Sequence, residues 1–211
     1  TRWRTLFVVA IAQLMIVLDS SIMNIAIPSA KVELGISDAN QQWVITAYTL
    51  AFGSLLLLGG RIGDYMGRKK IFLIGLAGFA AASALGGVAS NEGMLYASRA
   101  LQGVFAALLA PAALAIISVT FTAPKERAKA FGVIGAISGG GAAIGLILGG
   151  ALTEYFSWRW CLGVNTPIAI FAAFLAIKFV KESKAQGDNS YDIPGVFTAT
   201  AGLFALTYGF H

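Results

Sequence analysis

Asp19 lies well inside an apolar run, in Val17-Leu18-Asp19-Ser20-Ser21-Ile22. An ionised carboxylate at such depth costs roughly 2.5–3.5 kcal/mol to insert into a bilayer. Burial disfavours the charged form, so a carboxylate there is suited to taking up and releasing a proton. It can equally meet a cationic ligand or satisfy a neighbouring helix. Arg99 is the second such residue, in Tyr96-Ala97-Ser98-Arg99-Ala100-Leu101-Gln102-Gly103. With Gln102 one turn deeper, Arg99 either joins a buried polar cluster or snorkels to the membrane surface.

Two glycine patterns follow. Gly60-Arg61-Ile62-Gly63-Asp64-Tyr65-Met66-Gly67-Arg68-Lys69-Lys70 reads as a charged turn between helices. Its glycines permit tight backbone turns. Asp64 can accept hydrogen bonds from Arg68 or from a helix N-terminus. A loop that only fixes topology needs the Arg and Lys alone, and leaves the Asp and the glycines unexplained. Further along, Gly141, Gly145 and Gly149 recur every fourth residue, with Gly135 and Gly139 on the preceding turns. Such spacing allows helices to approach closely. A phosphate loop is excluded, because no Gly-Lys-Ser/Thr ending and no strand context are present.

Catalytic chemistry finds no constellation. The one histidine is His211, and the one cysteine, Cys161, excludes an internal disulfide and a metal cluster. No metal and no cofactor are expected.

These residues must be positioned by membrane helices. Hydrophobic residues make up 57% and charged residues 12% of 211 residues, and mean hydropathy is +0.77. A water-soluble domain carries about twice that charge, so lipid is the expected solvent. Apolar runs fall at Thr5–Pro28, Gln42–Gly60, Ile71–Ala89, Leu95–Thr120, Ala130–Thr153, Leu162–Val180 and Gly195–Phe210. The first six are long enough to cross the ~30 Å hydrocarbon layer. The first is too long for a cleavable leader and is expected to remain. The expected organisation is a six-helix bundle over 1–180, a cytoplasmic linker over 181–194 and the beginning of a seventh helix over 195–211. Asp192 is the expected cap of that helix, with Pro194 in its first turn.

The net charge of +5 lies in short loops between apolar runs, which argues against nucleic acid as a partner. All but three of the 15 Lys and Arg fall on one side: Arg2 and Arg4, the Arg61–Lys70 turn, Lys125 to Lys129, and Lys178 to Lys184. The other side holds Lys31 and Arg159, and Arg99 is intramembrane. The asymmetry places the N-terminus in the cytoplasm. Trp43, Tyr155, Trp158 and Trp160 fall at the outer edges, as interfacial aromatics do. On that topology Asp19 lies ~13 Å and Arg99 ~6 Å from the same outer surface, so an arginine side chain can reach the carboxylate if the two helices are neighbours.

In these motifs the chain resembles the major facilitator superfamily, and within it the drug:proton antiporters with fourteen spanning helices. Gly60–Lys70 is similar to the superfamily signature between helices two and three. Leu18-Asp19-Ser20-Ser21-Ile22-Met23-Asn24-Ile25-Ala26-Ile27-Pro28 is similar to the helix-one motif of that branch. Arg99, Gln102 and Gly103 fit its Arg-x-x-Gln-Gly motif. Gly135, Gly139, Gly145, Gly149 and Gly150 resemble its glycine-rich helix-five motif, although Leu146 follows Gly145 where that motif usually carries proline. Ser157-Trp158-Arg159-Trp160, with Asn165 and Pro167, also fits. The match covers essentially the whole chain, with its motifs in order.

The resemblance implies a bundle of two inverted three-helix repeats, completed by a C-terminal half of the same transporter. It implies proton coupling and a substrate cavity at Asp19, Asn24, Arg99 and Gln102. Gating falls to Gly60, Arg61, Gly63, Asp64, Gly67, Arg68 and Lys69, and the helix-five motif to Gly135, Gly139, Gly141, Gly145, Gly149 and Gly150. The expected function is export of amphipathic, often cationic compounds from a plasma or bacterial inner membrane, driven by the proton gradient. A proton-coupled carrier of one defined solute is the alternative within transport. A polytopic enzyme or receptor is disfavoured by the missing catalytic cluster and soluble domain.

Overall fold

A computed structural model describes residues 2–184 and 193–210. They form α1 (Arg2–Leu34), α2 (Trp43–Met66), α3 (Arg68–Gly87), α4 (Glu92–Thr120), α5 (Pro124–Tyr155), α6 (Arg159–Gly163), α7 (Asn165–Phe179) and α8 (Ile193–Gly209). Among the described residues, six helical stretches are long and apolar enough to cross a membrane, with α6 and α7 together making the sixth. They are interrupted at Val164 because Pro167 has no N–H to donate to the carbonyl of Gly163.

Local chemistry sets the ends. Asn91 caps α4 by accepting from Met94 N at 2.8 Å, and Glu92 lies in the first turn. Arg127 closes the other end of α4, donating to Phe121 O at 2.8 Å and Ser118 O at 3.1 Å. Pro124 starts α5 where its missing N–H costs nothing. Between α1 and α2, Lys31 pairs with Asp38 and holds that exposed carboxyl below the usual carboxylate range.

Several boundaries differ from expectation. The first helix runs past Pro28 to Leu34, and the fifth begins six residues before Ala130. The largest difference is at Gly60–Lys70. Gly60 and Gly63 are helical, α2 continues to Met66, and the turn is Gly67 alone, at φ 114°. Packing against α4 outweighs the low helix propensity of glycine. The α8 helix starts at Ile193, with Pro194 in its first turn. The proposed cap Asp192 and most of the linker lie outside the described residues.

The bundle pairs α2 with α4 and α1 with α5, while α3 and α7 cover α4 and α1. Exchanging the first three spans for the last three maps one pairing onto the other, as inverted repeats require. Two apolar clusters fill the interior. One, around Phe72, Phe79, Leu109 and Phe121, lies toward the end that carries most of the basic residues. The other, around Ile22, Met23, Leu95 and Leu162, lies toward the opposite end. Trp158 belongs to the second cluster and is buried, so it is not an interfacial aromatic as expected. Trp43, Tyr155 and Trp160 are exposed.

Candidate functional site: a buried carboxylate and guanidinium

Between the two apolar clusters sits a polar one. Asp19, Gln102, Ser83 and Asn165 are each 0% exposed and Arg99 is 1% exposed. Arg99 Nη1 donates to Asp19 Oδ2 at 2.8 Å and to Gln102 Oε1 at 2.8 Å. Gln102 Nε2 donates to Ser83 Oγ at 2.9 Å and, at 3.3 Å, to Asp19 Oδ1. Asn165 Nδ2 reaches the same oxygen at 2.9 Å. Arg99 Nε donates to Val44 O at 2.9 Å, and the guanidinium lies 4.6 Å from the ring centre of Tyr48.

Arg99 therefore does not snorkel. Its charge is held inside the bundle by a carboxylate, a carbonyl, an amide and an aromatic face. Gly103 makes this reach possible: a Cβ there would lie 2.5 Å from Tyr48 O, so the glycine lets α2 close on α4.

The other expected residues divide. Asn24 stands apart from the cluster; it is exposed and donates to Ser20 O one turn back. The helix-five glycines occupy two faces. Gly141, Gly145 and Gly149 pack on α1, where a Cβ on Gly145 would lie 2.6 Å from Ser21 Cβ. Among the described residues, nothing lies within 4 Å of a Cβ added at Gly135, Gly139 or Gly150.

At the α2–α3 junction Asp64 pairs with Arg68 at 3.0 Å. The N-terminus of α3 is satisfied by Glu182, a residue sequence reasoning missed. Its carboxylate accepts from Lys69 N and Lys70 N, both at 3.0 Å, and Arg68 N donates to Ser183 O at 2.8 Å. Lys69 Nζ caps Ile177 O at 3.1 Å. Arg61 lies on a groove between α2 and α4 together with Gly60, Asp64 and Pro111. At the opposite end Glu33 accepts from Trp158 Nε1 at 2.6 Å and Arg159 Nη2 at 2.6 Å. Arg159 Nη1 continues to Ala89 O at 2.6 Å, tying α1 to the segment after α3.

A buried ion pair in a six-span bundle of paired inverted repeats describes a polytopic membrane protein. The family model of the Major Facilitator Superfamily matches residues 9–208, and the chain belongs to that family. It is a multi-pass membrane protein. It is 55% identical to the puromycin resistance protein of Streptomyces alboniger, over 99% of this chain and 42% of that one. It is 42% identical to the cephamycin export protein of Amycolatopsis lactamdurans, over 94% and 41% respectively. A crystal structure of a peptide transporter superposes with TM-score 0.75 at 14% identity, over 97% of this chain and 44% of that one. The chain thus spans about two fifths of the length of these curated relatives.

Proposed function

We propose that this chain is the N-terminal, proton-coupling bundle of a drug:proton antiporter that exports amphipathic, often cationic compounds by alternating access. The observation that carries the reading is the fully buried Asp19–Arg99 pair with its amide partners. With Asp19 ionised, Arg99 bridges α1, α2 and α4 through Asp19, Val44 O and Gln102. Protonation removes the ionic half of that bridge. The two protonation states then differ in helix–helix contacts, which a conformational switch requires.

Asp19 is sealed from solvent in this conformation. A cationic substrate and the proton compete through the conformations that each favours. The remaining length of the relatives corresponds to a second bundle, and the α2–α4 groove at Gly60, Arg61 and Asp64 is its docking face. In that reading Asp64–Arg68 and Gly67 gate the rocking of one bundle against the other, in a fourteen-helix protein whose N-terminus is cytoplasmic. The relatives' names support export. The two relatives reported above are each named for one compound, which favours a second reading, a carrier of a single defined solute. Efflux of a panel of cationic and neutral dyes from cells carrying the full-length protein tests both. Broad, gradient-dependent efflux supports the first reading, and one accepted compound supports the second. Efflux that persists after the gradient is collapsed removes proton coupling from either.

A further inference from the structure

The amide of Asn165 has a partner for one of its two ends. Nδ2 donates to Asp19 Oδ1, whereas Oδ1 is buried and accepts nothing. Among the described residues one other buried side-chain polar atom lacks a partner, Ser183 Oγ. It lies far away, beside the start of α3.

Every contact to the Asp19 carboxylate comes from a donor: Arg99 Nη1, Gln102 Nε2 and Asn165 Nδ2. That set fits the ionised form. A protonated Asp19 carries an O–H that requires an acceptor. Gln102 Oε1 already receives Arg99 Nη1, and Ser83 Oγ receives the Gln102 amide nitrogen. Asn165 Oδ1 remains. Among the described residues, the charged and titratable groups of the cluster are Asp19 of α1, Arg99 of α4 and Tyr48 of α2. The α3 helix presents neutral Ser83, and Cys161 of α6 directs its sulfur to Thr153 and Gly149.

We infer that Asn165 is the proton-linked partner of Asp19, turning its amide by half a rotation about the Cβ–Cγ bond when the carboxylate is protonated. This rests on the proton-coupling reading above. One proton arrives and an O–H bond forms at Asp19 Oδ1. The N–H···O hydrogen bond from Asn165 breaks, and an O–H···O hydrogen bond to Asn165 Oδ1 replaces it. The net charge of the site rises by one. Nothing else among the described residues holds the far end of the amide, so Asp19 decides which end faces it. Asn165 acts through Asp19 and is a positioning residue.

The test is an acid titration of the full-length protein followed by infrared difference spectroscopy, with asparagine amide carbons carrying a heavy-isotope label. The Asp19 carboxyl band is assigned by its loss in Asp19→Asn. The expected result is a labelled asparagine carbonyl band that moves with the carboxyl midpoint and is absent from Asn165→Leu. An asparagine band that stays still while Asp19 titrates overturns the inference, whether or not Asn165→Leu folds. An Asp19 that never titrates sinks both this inference and the proton-coupling reading. Since the readout needs no substrate, the expected titration in a protein without gradient-driven efflux rejects the transport reading alone.

Discussion

Arg99 and Asp19 neutralise each other where neither can reach water, and removing one leaves the other stranded. An uncompensated buried charge costs roughly 3–5 kcal/mol. In Arg99→Ala that cost is relieved if Asp19 holds its proton, so the pH optimum of efflux should move upward. Efflux at neutral pH should fall on the order of tenfold or more. Arg99→Lys should rescue only in part, because an ammonium cannot serve Asp19, Gln102 and Val44 O together across a planar face. Efflux rates against pH for the three proteins decide this; full rescue by Lys, or an unmoved optimum in the Ala variant, speaks against the coupling. Asp19, Arg99 and Gln102 were legible in the sequence because each is polar inside an apolar run. Asn165 was visible only as part of a motif, since its role depends on α7 folding back beside α1. Ser83 lies in an Ala- and Gly-rich helix that gave it no signal at all. Asn24 shows the converse: a motif residue whose helical phase turns it away from the cluster.

Among the helices, glycine is used for close approach in some places and not in others. A Cβ at Gly145 would meet α1 at 2.6 Å, while Gly139 faces open space. Gly145→Ala should therefore lower thermal stability by about 1–3 kcal/mol, and Gly139→Ala should be neutral or slightly stabilising through helix propensity. Equal effects in a thermal-shift measurement would contradict the two-face reading. Gly67 combines φ 114° with a Cβ position 2.7 Å from the Glu182 carboxylate. Gly67→Ala should cost on the order of 1–3 kcal/mol for its backbone conformation. Asp64→Asn, which weakens the pair with Arg68, should slow transport without changing which compounds are exported. A change in selectivity at unchanged rate would place Asp64 outside the gate. The number and order of spans were readable from hydropathy. The α2–α3 turn was not, because glycines at helical spacing look the same in a turn and in a tightly packed helix. Glu182 was hidden for another reason, since its partners, the N–H groups of Lys69 and Lys70, lie more than a hundred residues away.

At the scale of the molecule, charge is sorted by depth. Basic residues gather at one end of the bundle, the Glu33–Trp158–Arg159 clasp closes the other, and between them lies the Asp19–Arg99 pair. A cysteine introduced at Lys125 should react with an impermeant thiol reagent only after the membrane is opened, whereas one at Ser37 should react from outside. The reverse pattern would invert the topology. The central claim is that Asp19 carries the coupling proton. Its most direct measurement is substrate-induced proton release by the purified full-length protein, compared between wild type and Asp19→Asn, with binding of the same dye recorded alongside. The account predicts proton release on dye binding in the wild type, and retained binding with no release in Asp19→Asn, because an amide cannot titrate. Equal proton release by both proteins would contradict it.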